Sequence, residues 1–243
     1  MSGARKPLSR RELVKLAAGV GVIGGGWAAL KLAVDSSKPK AGNLGRFERA
    51  NEHLESFLFS NKEFTPGELT PAESFPMYHV APSTPIMPPD WKLIVAGMVG
   101  KPLALTLDDL MKLPRTEYRI EHHCVEGWSA VATWTGVRLS EIAKLAQAKD
   151  VDYVEFRSFD VPRGWRRGYW SSWDRDSAMH PQTLIAYGMN GKPLSPAYGA
   201  PVKVYSAVKL GYKNVKYLSE INFLDTQTGG YWENSGYEWH GGV

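Results

Sequence analysis

One thiol stands in 243 residues, Cys124, inside the stretch YRIEHHCVEGWSAV at 118–131. His122 and His123 precede it, and Glu126 follows two positions later. A lone cysteine makes no internal disulfide. It can pack as a small hydrophobe, attack a substrate as a thiolate, or hold a soft metal. On a strand, His122 and Cys124 point to one face and His123 to the other. Neighbours on one strand face give a base poor geometry for activating a thiol, which argues against attack. His122 and Cys124 are too few for a closed protein-only metal site, so a metal here needs further ligands from a cofactor.

Two other clusters could carry chemistry. In SPAYGAPVKVYSAVKLGYKNVKYL, Lys203, Lys209, Lys213 and Lys216 fall close together, with Gly199, Pro201 and Gly211 shaping loops. Lysines there either guard solvated strand edges or, with loop N–H groups, hold a phosphate. In RGWRRGYWSSW, Arg163, Arg166, Arg167 and Tyr169 form either an exposed loop or the basic lip of a pocket. The sequence has no G-x-S-x-G, Walker loop, G-x-G-x-x-G after a strand, H-E-x-x-H, C-x-x-C or C-x-x-C-H. That removes the common hydrolase, nucleotide, zinc and haem-c signatures.

The elements that must position these residues read as mostly strands. WKLIVAGMV alternates, and TEYRIEHHCVE, VDYVEFRSF, VKVYSAV and KNVKYLSEINFL have strand length and β-forming residues. Thr106 and Asp109 fit a capping box opening a short helix. RLSEIAKLA places Leu139, Ile142, Ala143 and Ala146 on one helical face. SSWDRDSAM reads as helix with Ser171 or Ser172 as its cap. Asn190-Gly191 between apolar runs signals a hairpin. Residues 60–90 read as extended chain wrapping a core, because Phe64, Phe75, Met77, Tyr78 and Ile86 are many to leave in water. A helix near Phe47–Phe59 is expected before it. Many strands with few, short helices give an α+β class.

Nine Trp, 11 Tyr and 8 Phe suit a large core or an enclosed pocket. The net charge of +4 is uneven: residues 1–40 carry +6, leaving −2 for 41–243. A net-acidic body argues against a general nucleic-acid binder. The basic start precedes an uncharged run, Leu16–Leu30, with five glycines. As a helix it would span about 22 Å, short of a bilayer's hydrocarbon core. Ser9-Arg10-Arg11 with Leu13 and Lys15 is similar to the twin-arginine export signal. That route takes proteins folded around a cofactor, and implies a periplasmic home. An uncleaved N-terminus would instead anchor the chain at the membrane. The expected division is 1–34 signal, 35–70 linker and extension, and 71–243 domain.

From about Pro71 to Val243 the chain resembles the sulfite-oxidase family of molybdopterin enzymes, on the bacterial periplasmic branch that includes protein-methionine-sulfoxide reductase catalytic subunits. The resemblance rests on HHCVEGWSAVATWTGVRLSEI, on AYGMNGKPLSPAYGAPVKVYSAVKLGYKNVKYLSEINF, and on GGYWENSGYEWHGG. It implies a sulfite-oxidase-type α+β fold of mixed β-sheets and short helices, one Mo-molybdopterin per chain, and Cys124 as the protein thiolate on the metal. It implies cofactor contacts at Tyr78, His79, Ser158, Tyr198, Lys203, Asn214, Val215 and Lys216. Tyr169, with an arginine among 163, 166 and 167, would face the substrate. Lys203 stands where Arg is usual and keeps charge without the bidentate fork. Tyr198 stands where His or Asn is usual. Sulfite-oxidising members carry an Arg shortly after the cysteine; here none follows until Arg138. The expected activity is therefore reductive oxygen-atom transfer on a sulfoxide-type substrate, with sulfite oxidation or an empty binding domain as alternatives. With no haem motif in the chain, electrons would come from a membrane haem subunit or a cytochrome.

Overall fold

The computed structural model describes Leu54 and residues 67–81, 83–161 and 168–243. Apart from Leu54 these lie in the unit Leu58–Val243. The twin-arginine stretch, most of the helix expected near 47–59, Phe64, Arg163, Arg166 and Arg167 lie outside the described residues.

Two five-stranded sheets organise the unit. The first is built from β1 (Leu93–Gly97), β2 (Leu103–Leu105), β5 (Tyr153–Ser158), β6 (Trp170–Asp174) and β10 (Leu218–Leu224), in the order β2-β1-β10-β5-β6. Only β1 and β10 pair parallel in it. The second holds β3 (Arg115–His123), β4 (Ser129–Arg138), β7 (Thr183–Met189) and β8 (Lys192–Pro193) in order, with β9 (Lys203–Ser206) also on β7. Edge strand β3 turns Arg115, Glu117, Arg119 and Glu121 to solvent, charges that discourage a foreign strand from pairing there. Where β4 slips register against β7, Gly136 allows a close approach: a Cβ would sit 2.2 Å from the Ile185 carbonyl oxygen.

Two apolar clusters form the core, the first built on the first sheet and joined by Val137, Ile185 and Val204 of the second sheet. Leu93, Val95, Val154, Phe156, Trp173 and Ile221 belong to the first. Ile120, Trp134, Leu184 and Tyr205 belong to the second, which is capped by Phe75. The short helices fill the first cluster. α1 (Leu107–Met111) opens on the expected capping box: Thr106 Oγ1 accepts from Asp109 N at 3.2 Å, and Asp109 Oδ2 accepts from Thr106 N at 3.1 Å. α2 (Leu139–Leu145) buries Leu139, Ile142 and Ala143, and Ala146 beyond it is buried too. Asn190 and Gly191 take φ of 51° and 74° between β7 and β8, the left-handed pair a tight hairpin needs.

Four expectations need correcting. Trp170–Asp174 is strand, paired residue for residue with β5; the helix is α3 (Arg175–Met179), capped by Asp174, whose carboxylate accepts from Ser177 N at 2.7 Å. Pairing partners outweigh the local signal of two serines. The strand in KNVKYLSEINFL begins only at Leu218, because Gly211–Lys213 forms a 3-10 turn. Strand β3 stops at His123, so Cys124 belongs to the β3–β4 turn. Of the apolar residues expected to cover a core, Phe75 is buried, but Met77 and Tyr78 are half exposed and Ile86 lies in solvent. No helix among the described residues is long and apolar enough to cross a membrane.

Candidate functional site

A cavity of about 290 Å³ opens at one end of the second sheet, near the lower limit of ordinary small-molecule pockets. Nine of the ten residues singled out from the sequence line it; Val215 alone does not. Val215 is fully buried in the first apolar cluster, so its side chain packs rather than faces the cavity.

The β3–β4 turn presents Cys124. Its backbone N–H donates to Trp128 O at 3.0 Å, and its carbonyl accepts from Gly127 N at 3.0 Å. Burial raises the thiol pKa above its ordinary value, and the Glu126 carboxylate pushes the same way. Backbone N–H groups of Glu126 and Val125 at the sulfur pull it down. Cys124 is therefore an uncharged thiol in a site that already supplies donors for the thiolate.

His122 cannot serve as the base for an attacking thiol. Its Nδ1 meets the Tyr205 hydroxyl at 3.0 Å, and its ring packs on Trp128 and Tyr205 with centroids 5.3 and 5.7 Å away. Burial, then Lys203 and His123, drive its pKa down to about 3. Gly211 makes room for it, since a Cβ there would lie 2.7 Å from His122 Nε2. His123 turns away and pairs with Ser129 Oγ at 3.0 Å.

The four lysines divide into two pairs. Lys209 Nζ meets Asp174 at 2.8 Å and the His240 carbonyl at 2.5 Å. Lys213 Nζ meets Glu233 at 2.5 Å, Ser172 O at 2.9 Å and Trp239 O at 2.5 Å. These two tie the C-terminal segment to β6. Lys203 and Lys216 line the cavity instead. Lys203 is 5% exposed, and among the described residues it has no acidic or hydrogen-bonding partner. Its ammonium sits 4.7 Å from the ring centroids of both Trp134 and Tyr205. Burial, with repulsion from Lys216, holds its pKa well below that of an ordinary lysine. Lys216 donates to the carbonyls of Tyr78 and of Ala197, the latter at 3.0 Å. Its pKa falls to about 8 through burial, while Asp160 opposes the fall.

The remaining candidates brace the walls. Tyr198 donates to Phe75 O at 3.0 Å. Ser158 Oγ accepts from Asp160 N at 2.8 Å. Asn214 Oδ1 accepts from Ser206 N at 2.9 Å, and its Nδ2 donates to Lys209 O and Leu210 O, so its amide fastens the loop. Tyr169 is buried and donates to the Tyr212 carbonyl. To donate into the cavity it must give up that bond. His79 Nδ1 meets the Tyr217 hydroxyl at 3.0 Å. Tyr217 holds φ of 55°, a strained state for a bulky residue that is common near functional sites. Tyr217, Asp160, Trp128 and Glu126 line the cavity without having been singled out. Only the proximity of Trp128 and Glu126 to Cys124 in the chain could have flagged them.

No cluster of three or more His, Cys, Asp or Glu able to hold a metal occurs among the described residues. One thiol and one buried, unpaired ammonium share a cavity. That donor set suits a group bringing its own metal ligands and a negative charge.

Comparison with known proteins agrees. Residues 79–232, more than half of the chain, match the family described as the oxidoreductase molybdopterin binding domain. The chain belongs to that family, the sulfite-oxidase-type molybdopterin oxidoreductases. Among its relatives, the protein-methionine-sulfoxide reductase catalytic subunit MsrP of Gluconobacter oxydans is 31% identical over 231 residues, covering 90% of this chain and 70% of the relative. MsrP of Campylobacter jejuni is 29% identical over 246 residues, covering 93% and 76%. MsrP of Xanthomonas campestris is 38% identical over 151 residues, covering 56% and 45%. The chain thus spans about half the length of several curated relatives it matches, as little as 45%. One solved structure, the sulfane dehydrogenase SoxCD from Paracoccus pantotrophus, aligns with a TM-score of 0.52 at 22% identity, covering 57% of this chain and 39% of that one. That likeness concerns the fold alone.

Proposed function

We propose that this chain is an exported Mo-molybdopterin oxidoreductase that reduces a sulfoxide-type substrate by oxygen-atom transfer. The observation that carries the reading is the cavity that holds both the chain's only thiol, Cys124, and a buried ammonium without an acidic partner among the described residues, Lys203. The names of the MsrP relatives support the substrate class and the reductive direction.

When bound, the group supplies a two-electron metal centre able to take up or release an oxygen atom. Cys124 would give the metal its thiolate, its proton leaving on binding, and the N–H groups of Val125 and Glu126 would stabilise the anion. Lys203 and Lys216, which line the cavity, would hold the pterin phosphate. Their pKa values are lowered by burial, so an anion restores both to full charge. Tyr78, His79, Ser158, Tyr198 and Asn214 hold the walls around the group, and Val215 packs behind them. The Tyr169 phenol, kept protonated by burial, would orient a bound oxide once released from the Tyr212 carbonyl. An arginine among 163, 166 and 167, which lie outside the described residues, would serve the substrate side.

One Mo per chain is expected, with no haem in this chain. Electrons then arrive from a membrane haem subunit or a soluble cytochrome; the relatives' designation as catalytic subunits supports a separate partner. The twin-arginine machinery delivers the loaded protein to the periplasm, where an uncleaved N-terminus would leave it membrane-anchored. Sulfite oxidation is the weaker reading, because the residue beside Cys124 in the cavity is an acid, Glu126, rather than an arginine.

The test is metal analysis of protein from a molybdenum-competent host, with sulfoxide-dependent oxidation of a reduced viologen as the assay. About one Mo per chain is expected from Cys124 as sole protein ligand, and Cys124→Ser should abolish turnover. Full turnover without Mo, or sulfite-dependent cytochrome reduction without sulfoxide reduction, would overturn the reading.

A further inference from the structure

Glu126 is exposed and lines the cavity with Cys124. Most surface glutamates swing freely, but this one is held. Trp128 Nε1 donates to its Oε2 at 3.2 Å. The carboxylate also raises the pKa of the neighbouring Tyr78 phenol. Tyr78 stacks on Trp128 with centroids 5.9 Å apart and planes 18° from parallel. The Tyr78 carbonyl in turn accepts from Lys216. Two segments distant in sequence, 76–80 and the β3–β4 turn, therefore fix one negative charge at the rim.

Its field reaches the place where a substrate would arrive. Glu126 stands two residues from Cys124 in the β3–β4 turn, and both line the cavity. Among the described residues, the cations lining the cavity are Lys203, buried against Trp134 and Tyr205, and Lys216, committed to two carbonyls. The exposed apolar residues lining the cavity, Met77, Tyr78, Val125 and Tyr237, add no positive charge.

We propose that Glu126 determines specificity: a tethered carboxylate at the rim that holds off oxyanions and favours neutral or cationic oxides. The inference rests on the oxygen-atom-transfer reading and narrows its substrate class. Specificity of this kind comes from a repulsive element set against the wrong ligand. Because the carboxylate is solvated, its effect is modest and salt-dependent.

Two measurements on the loaded protein test it. In the first, sulfate serves as a non-reacting oxyanion in calorimetric titrations of wild type, Glu126→Gln and Glu126→Asp. Sulfate should bind Glu126→Gln about five- to tenfold more tightly than wild type, with the gap narrowing as salt rises, and Glu126→Asp should behave as wild type. In the second, the ratio of kcat/KM for a carboxylate-bearing sulfoxide over a neutral one should rise by a similar factor in Glu126→Gln. Equal or undetectable sulfate binding in all three proteins overturns the filter. If sulfoxides are reduced but neither readout responds to Glu126→Gln, the filter falls and the reductase reading stands. If neither sulfoxide is reduced while sulfate binds Glu126→Gln more tightly, the reductase reading falls and the filter stands.

Discussion

Replacing Lys203 by Met should stabilise the cofactor-free protein and cripple its loading. Lys203 is 5% exposed, with two aromatic faces at 4.7 Å from its ammonium and no acid beside it among the described residues. Burying an ion costs several kcal/mol, and each cation–π contact returns about 0.5–2 kcal/mol. The balance leaves a cost of about 1–2 kcal/mol, which an apolar side chain of similar length removes. For a unit of this size that raises Tm by about 2–8 °C. With cofactor the sign reverses, because losing one partner of a buried charge pair costs about 2–5 kcal/mol. Retention should then fall by about 30-fold to several thousandfold. Thermal unfolding of apoprotein and molybdenum retained after gel filtration give the two readouts, and Lys203→Arg should keep the cofactor. The pH dependence follows from the same burial: the folded pKa lies below the unfolded one. Apoprotein stability should therefore rise with pH across that interval, and Lys203→Met should flatten the rise. A Lys203→Met apoprotein less stable than wild type, with molybdenum retention unchanged, would refute the reasoning.

The lysines that tie down the C-terminal segment should behave differently. Lys213→Met leaves Glu233 buried without its partner, which lies at 2.5 Å, and should cost about 3–5 kcal/mol in urea unfolding; adding Glu233→Leu should recover most of it, and a single-variant loss under about 0.5 kcal/mol would contradict the assignment. His240 gives the acid limb of stability. Burial, then Lys209, lower its pKa to about 4, so the unfolded chain takes up the proton first, and stability should fall as pH drops from about 6.5 towards 4. His240→Leu should reduce the difference between urea midpoints at pH 7 and 4.5, and an unchanged difference would count against the burial argument.

Much of the fold was legible where local chemistry and tertiary packing agree. Thr106 and Asp109 cap α1 as their spacing implied, and the apolar face of α2 is buried as its periodicity required. Reading failed where distant partners decide. Trp170–Asp174 carries a helix-cap signal, yet β5 claims it as a strand. Met77 and Tyr78 looked like core residues by type, but they line the cavity rim, where exposure suits a site more than a core.

The lysine-rich stretch shows why a site's membership is harder to read than its neighbourhood. Lys203, Lys209, Lys213 and Lys216 carry the same charge in one short run. Two of them reach carboxylates that the chain supplies at Asp174 and Glu233. Those acids are 35 and 20 residues away in sequence, so no local pattern announces the pairing. Lys203 is similarly buried and has no such acid among the described residues. A buried cation without a counter-charge is costly, so its persistence points to an anion from outside the chain. The absence of an acid, visible only once the chain is folded, separates the lysine that can bind a ligand from those that hold the fold.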